Sequence, residues 1–170
     1  MLGKLRFGSL GILFLPLLLL GMFQISVAQT ADLKKVTIYF WEFNRDGGGD
    51  DLIAFIRMVN KKAPLRPTIE VLLADPRPDE NPDRFASVRY TSDLKLSSVN
   101  VKRGLARIDF TRTDGADTNP GDLATLRFEA AVKRTAKQFP GIKKVIVCVN
   151  GMNEFGIGMV IDAPLPCKHP

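Results

Sequence analysis

The stretch VNVKRGLARIDFTR, residues 99–112, predicts a β-hairpin whose two strands are joined by a turn that contains glycine. Apolar and polar side chains alternate along it, so that the hairpin has one apolar face and one polar face. The apolar face carries Val99, Val101, Ala106, Ile108 and Phe110. The polar face carries Asn100, Lys102, Arg107, Asp109 and Thr111. Such a polar row is either the solvated side of a sheet or a site, and we expect Asp109 to pair with Lys102 across the strands or to bond locally.

The segments around this hairpin predict one small α+β domain. The predicted elements are strands Lys34–Phe43 and Leu52–Asn60, helix Pro67–Asp75, strands Leu94–Val101 and Leu105–Thr111, helix Leu123–Phe139 and strand Ile142–Gly151. Leu52–Asn60 is short and apolar on both faces, so that a short helix is the alternative there. The closing strand is also apolar on both faces, which is typical of a central strand. The order ββαββαβ favours two layers, with a mixed, mostly antiparallel sheet and two helices on one of its faces.

The first 28 residues are predicted to be a secretory signal peptide or an uncleaved N-terminal anchor. Two bases, Lys4 and Arg6, precede an apolar run, and small residues at Ser26 and Ala28 suit cleavage by signal peptidase. The run is also close to the roughly 20 apolar residues that span a bilayer. Both alternatives predict an exported chain that is periplasmic or otherwise extracytoplasmic, secreted or anchored at its N-terminus.

The two cysteines of the chain, Cys148 and Cys167, agree with export, because an oxidising compartment permits one bridge between them. The bridge would attach a C-terminal tail, residues 153–170, to a domain that spans residues 34–152. A metal site formed by both cysteines and His169 is the competing interpretation, but it lacks a fourth ligand and the usual zinc spacing.

The sequence offers no set of residues that would form an active site. It has no GxSxG motif, its single histidine is His169 near the end of the chain, and Cys148 lies within a predicted strand. Asp109 and Glu42 are the acids that look least like loop residues, but nothing in the sequence brings them together for a hydrolase. The run DGGGDD, residues 46–51, matches neither a phosphate loop nor a calcium loop. We therefore predict no catalytic residue, no metal site and no cofactor.

The second predicted helix is amphipathic and has a basic side. Its apolar stripe consists of Phe128, Val132, Thr135 and Phe139. The opposite side carries Arg127, Lys133, Arg134 and Lys137. This basic face is a candidate for interaction with a partner, and an ordinary solvated helix face is the alternative. Export and the lack of an aromatic and basic platform argue against nucleic acid as the partner.

Ordered blocks between residues 36 and 151 resemble the GerMN domain, the module named for sporulation and spore germination proteins. The hairpin is similar to the family pattern V-x-V-x-x-G-x-A-x-V-D-F-S, and the first helix ends in a segment similar to LL-x-GP. The positions that carry the resemblance are Tyr39, Phe40, Arg57, Pro76, Gly104, Ala106, Asp109, Phe110, Thr135, Pro140 and Gly151. The chain departs from the pattern at Asp75, Thr111 and Ala136, where the family has Gly, Ser and Leu.

The resemblance implies a fold like that of ring-building domains and a non-enzymatic module of the cell envelope, linked to sporulation or germination. The implied partner is another envelope protein, and the module is a possible oligomer. A peptidoglycan-binding module is the alternative function, and an envelope hydrolase is the third. Membrane contact is expected only through the N-terminal segment, if it is retained.

Overall fold

The computed structural model describes residues 32–43, 51–89, 91–113, 121–152 and 167. The chain divides into two compact units, Met1–Thr30 and Ala31–Pro170, and every described residue belongs to the second. The predicted signal segment, most of the tail and His169 lie outside the described residues. Within the described ranges, no helix has the length and apolar character needed to cross a membrane.

The order of the elements is the predicted one, and the α+β class is confirmed. The strands are β1 (Leu33–Glu42), β2 (Asp51–Asn60), β3 (Lys95–Lys102), β4 (Leu105–Thr111) and β5 (Lys144–Val149). The helices are α1 (Leu65–Leu72) and α2 (Gly121–Ala136), and two short 3₁₀ turns, Pro78–Glu80 and Pro82–Arg84, follow α1. Because β2 is a strand that pairs antiparallel with β1, the short-helix alternative for this segment is wrong.

Helix α1 begins two residues before the predicted start and ends earlier than predicted. Its first turn is closed on Pro64, whose carbonyl oxygen accepts hydrogen bonds from the Thr68 amide at 3.1 Å and from the Thr68 hydroxyl at 2.7 Å. Pro67 therefore lies inside the first turn, where the missing N–H costs no helical hydrogen bond. After the helix, Asp75 has φ of +63°. This left-handed conformation explains why the family pattern has Gly at this position.

The strands form two sheets rather than one: β1 pairs with β2, and β3, β4 and β5 form a second sheet in that order. The predicted central position of β5 is wrong, because β4 is central and β5 runs parallel to it at the edge of the described sheet. Val145, Val147 and Val149 of β5 face the core, whereas Cys148 faces outward and is bonded to Cys167. The outer face of β5 therefore carries one half of a disulfide at Cys148.

The core lies between the sheets and the two helices. Alternate residues of β1 and β4, with the predicted apolar stripe of α2, supply its buried side chains: Val36, Ile38, Phe40, Ala106, Ile108, Phe110, Phe128, Val132, Thr135 and Phe139. The rings of Phe110 and Phe128 meet edge to face, with centroids 4.9 Å apart. Full burial of one such apolar side chain stabilises a fold by about 1.5–3 kcal/mol. All described core residues belong to the unit Ala31–Pro170, so we expect this unit to fold without the first 30 residues.

The turn between β3 and β4 fixes the register of the hairpin. Arg103 and Gly104 have φ of +51° and +81°, as a two-residue type I′ turn requires. The carbonyl oxygen of Gly104 accepts hydrogen bonds from the amides of Lys143 at 2.8 Å and Lys144 at 3.0 Å. The turn thereby also positions the start of β5.

Candidate functional site

The polar face of the β3–β4 hairpin borders a cavity of about 720 Å³. Its polar lining includes Ser98, Asn100, Lys102, Arg107, Asp109 and Asn150. The polar row of the opening stretch therefore faces a concave surface rather than a flat solvated sheet.

Asp109 is held by local hydrogen bonds, which was one of its two predicted roles; the other was pairing with Lys102. Its Oδ1 accepts a hydrogen bond from Arg107 Nε at 2.8 Å, and its Oδ2 accepts one from the Ser98 hydroxyl at 2.7 Å. The other alternative, pairing with Lys102, is wrong, because the two-residue turn places Lys102 opposite Leu105. Both carboxylate oxygens are thus engaged within the fold, which argues for a structural role.

Arg107 is the residue of this face whose burial the alternation of the sequence did not predict. The alternation places it on the polar face of the hairpin, but it is only 7% exposed. Its Nη1 donates a hydrogen bond to the carbonyl oxygen of Cys167 at 3.3 Å. Cys167 was the sequence signal for this burial. A tail that is bridged to Cys148 has to cover part of the outer face of the sheet that contains β4 and β5.

The structure joins Cys148 and Cys167 in a disulfide, with their Cα atoms 6.2 Å apart. Both residues are buried, and the Cys167 amide donates a hydrogen bond to the Gly151 carbonyl oxygen at 2.8 Å. Bridged sulfur atoms are not available as thiolates, so these two residues do not act as zinc ligands in this state. The described ranges hold no other group of acids, histidines and cysteines suited to a metal ion.

The two acids considered for a hydrolase are not brought together. Asp109 lies on β4, whereas Glu42 lies on β1 in the other sheet and forms an ion pair with Arg84. Each carboxylate has its own cationic partner, and neither pairs with the other in the manner that glycoside hydrolysis requires.

Arg57, one of the family-motif positions, forms the most buried ion pair described in the domain. Its Nη1 and Nη2 donate hydrogen bonds to Oε1 and Oε2 of Glu80 at 2.7 Å and 2.6 Å. The Arg57 side chain is 5% exposed, and Glu80 also accepts a hydrogen bond from the Arg77 amide at 2.9 Å. The hydrogen bonds from Arg57 lower the pKa of the Glu80 carboxyl, against the opposing effect of its desolvation. The pair fastens the segment after α1 to the first sheet.

The remaining motif positions are also explained by packing or backbone geometry. Phe40, Ala106, Phe110 and Thr135 are core residues. Gly104 and Gly151 both have φ of +81° at turns, and Pro76 and Pro140 lie beyond the ends of the two helices. These positions define the fold and do not converge on one site.

The basic face of α2 is partly occupied by contacts within the fold. Its four predicted residues are Arg127, Lys133, Arg134 and Lys137. Lys133 forms an ion pair with Glu129 at 2.6 Å, and the Arg134 guanidinium lies 5.3 Å from the centre of the Tyr39 ring. The Arg127 carbonyl oxygen accepts a hydrogen bond from the indole of Trp41 at 2.8 Å. The role of this face in partner binding stays a prediction.

The outer face of the β1–β2 sheet is an apolar surface that the sequence analysis did not identify. Leu33, Ile56 and Met58 are 51%, 49% and 53% exposed. On β2, Ile56 and Met58 alternate with buried Arg57 and Val59. The sequence signal for this exposed apolar surface was therefore the period-two pattern at the end of β2.

The two edges of this sheet differ. Gln138 covers the edge of β1, because its amide accepts a hydrogen bond from the Thr37 N–H at 2.8 Å and donates one to the Thr37 carbonyl oxygen at 2.6 Å. Further along the same edge, the Trp41 carbonyl oxygen accepts a hydrogen bond from the Ala86 amide at 2.8 Å. The outer edge of β2 pairs with no strand of the described chain. It is therefore the edge at which a further strand could add.

Comparison with known proteins identifies the type of domain. The family model described as Germane, sporulation and spore germination, matches residues 37–154. No curated protein matches the chain.

Two solved structures share the fold at low sequence identity, and a third matches more weakly. The tandem GerMN domains of the sporulation protein GerM from Bacillus subtilis match with a TM-score of 0.54 and 17% identity over 85% of this chain, which spans only 49% of that chain. The first GerMN domain of the same protein matches with a TM-score of 0.52 and 18% identity, over 79% of this chain and 94% of that domain. A putative lipoprotein from Clostridium perfringens matches at 0.46 with 19% identity, over 79% of this chain and 87% of that chain.

Proposed function

This chain belongs to the Germane family of sporulation and spore germination, and from that premise we propose that it is a non-catalytic, extracytoplasmic module that assembles with another protein of the cell envelope. The proposed contact is the outer edge of β2, to which a partner adds a strand. Export is part of the proposal and is supported by the predicted signal segment and the disulfide.

The uncharged outer rim of β2 is the observation that carries this proposal. Strand edges are usually protected by lysine, proline or a bulge that prevents pairing with another chain. Strand β2 has no proline, and its pairing with β1 is continuous from Asp51 to Asn60. Between Leu52 and Met58 its only charged residue is Arg57, which points inward. Main-chain hydrogen bonds at such an edge and the apolar side chains beside it suit strand addition.

Site-specific crosslinking in the native host tests this contact. A photoreactive residue at Ala54 or Met58 should give a discrete adduct with an exported protein, identified by mass spectrometry. The same residue at Lys95, on the other sheet, should not give that adduct.

The variant Ala54→Pro provides the critical control. The register places the Ala54 N–H on the outer edge, where proline removes a donor to the partner without breaking the pairing with β1. The crosslink at Met58 should disappear in Ala54→Pro and persist in Ala54→Ser. Equal crosslinking in both variants, or adducts at Lys95 alone, would contradict the proposal.

The second candidate function is binding to cell-wall glycan, supported by the polar cavity beside Asp109. Hydroxyl and amide groups of Ser98 and Asn100 line it and could bond sugar hydroxyls. Sedimentation with insoluble peptidoglycan separates the two functions. Retention that Asn100→Ala abolishes and Ala54→Pro leaves unchanged would favour the glycan, whereas no retention would exclude it.

A further inference from the structure

One end of the domain gathers most of its exposed bases. The starts of β1, α1 and β5 lie there beside the ends of β2, β3 and α2, because one groove is lined by Lys34, Leu65, Val101, Phe139 and Ile142. Lys34 Nζ also lies 5.3 Å from the centre of the Phe139 ring. We call this end the basic pole. Its bases are Lys34, Lys35, Lys61, Lys62, Arg66, Lys102, Arg103, Lys137, Lys143 and Lys144.

Within the part of the chain that the structure describes, few acids lie beside these bases. In the described segments that form the pole, the nearest acids are Asp32, paired with Lys61 at 3.2 Å, and Glu70, paired with Arg66 at 3.0 Å. Many of the other described acids lie toward the opposite end, including Glu42, Asp51, Asp75, Asp79, Glu80, Asp83 and Asp93. Strand β1 runs between the two ends, and its 10 residues span about 33 Å. The domain therefore presents a positive field in one direction.

An apolar groove of about 410 Å³ opens within the basic pole. Its apolar lining includes Pro64, Leu65, Val99, Val101, Phe139 and Ile142, and Lys34 and Arg66 also border it. Val101 is the most exposed of the large apolar residues that line this groove, at 53%. A surface that mixes bases with exposed apolar side chains suits an amphiphile better than a soluble polyanion, which offers nothing to the apolar groups.

The chain also enters the domain at this pole. Strand β1 starts at Leu33, and only residues 29–32 separate it from the predicted apolar segment that ends at Ala28. Retained as an anchor, that segment would hold the pole within a few residues of the bilayer.

From the charge, the groove and the entry point of the chain, we propose that the basic pole docks on the surface of an anionic phospholipid membrane. The lysines and arginines contact headgroup phosphates, and Val101 and its apolar neighbours enter the boundary between headgroups and acyl chains. This goes beyond strand addition at β2, which uses a different surface, and beyond membrane contact through the N-terminal segment alone.

Sedimentation with vesicles tests the proposal on the unit Ala31–Pro170, which carries the whole described core and lacks the apolar segment. The unit should sediment with vesicles of phosphatidylglycerol and phosphatidylcholine, and not with pure phosphatidylcholine. Raising the salt to about 1 M shortens the Debye length to about 3 Å and should release most of it.

A matched pair of charge reversals locates the surface. Lys143→Glu with Lys144→Glu, at the pole, should weaken binding at least about tenfold, since each base near an anionic leaflet contributes several-fold. Arg77→Glu with Lys95→Glu, away from the pole, changes the net charge equally and should have little effect. Circular dichroism checks that both variants fold. Val101→Ser should weaken the binding that remains at intermediate salt.

Several results would overturn the membrane proposal. They are equal loss in the two charge variants, no sedimentation with anionic vesicles at low salt, and binding to soluble polyglutamate or teichoic acid as tight as to vesicles. Ala54→Pro should bind vesicles like the wild type, so that failure here and failure of the strand-addition proposal are distinguishable.

Discussion

At the scale of single residues, Gly104 combines two demands that no other residue type meets. Its φ of +81° is unfavourable for a side chain, and a Cβ there would lie 3.2 Å from the Gly141 carbonyl oxygen. We expect Gly104→Ala to lower the free energy of unfolding by roughly 1–2 kcal/mol from the backbone conformation, with a further cost from the close contact.

Gly141→Ala is the matched control for that substitution. Its φ of +92° is similar, but no atom lies within 4 Å of the added Cβ. Urea unfolding of both variants should show the larger loss for Gly104→Ala. Equal losses would mean that the contact with Gly141 contributes nothing.

The ion pair of Arg57 and Glu80 predicts a dependence of stability on pH. Glu80→Gln leaves a buried guanidinium without its counter-charge and should cost roughly 3 kcal/mol at pH 7. The pKa of Glu80 is lowered below its usual 4.5 in the folded state, so the stabilisation is complete above about pH 4.5 and is lost as the pH falls through the folded-state pKa. The difference between the wild type and Glu80→Gln should therefore shrink in acid.

Urea unfolding at pH 7 and at successively lower pH measures this difference. Glu70→Gln serves as the control, because Glu70 pairs with Arg66 at an exposed site and its loss should cost less than about 0.5 kcal/mol. A cost for Glu80→Gln that stays constant with pH, or that equals the cost for Glu70→Gln, would contradict this account.

At the scale of elements, the disulfide attaches Cys167 to the outer face of β5. The disulfide closes a loop between cysteines that are 19 residues apart in the sequence. In the chain-entropy model, its loss should lower the free energy of unfolding by about 3 kcal/mol. Mass spectrometry after alkylation should find two thiols only when a reductant is present. The variant Cys148→Ser with Cys167→Ser should lose the corresponding stability, and two free thiols in protein made in the periplasm would contradict the bridge.

The type and bounds of an element were predictable where they follow from the local sequence pattern. The position of a strand in its sheet was not, because it depends on distant parts of the chain. Strand β4 has the predicted bounds, Leu105–Thr111, because its alternation and its glycine turn are both local. Strand β5 was predicted to be central because both of its faces are apolar. An apolar face does not reveal whether a layer of the domain or a bridged tail covers it. The burial of Arg107 was missed for the same reason.

At the scale of the whole molecule, the fold concentrates charge that the sequence spreads out. The 24 lysines and arginines of the chain are spread along its whole sequence, and its formal net charge is +6. The basic pole arises because the ends of six elements meet, and no spacing rule along the chain reports that meeting. The sequence likewise identified the family positions but could not show that they serve packing and turns rather than one shared site.

The amide of Gln138 limits how many copies or partners the first sheet can recruit. Because it covers the edge of β1 at Thr37, the proposed strand addition has only the β2 edge of the described sheet to use. Two copies of this domain that paired through β2 would then each have used the one edge that the proposal assigns to strand addition. Such a pair would be closed, and its sheet would not grow into a filament by stacking strand upon strand.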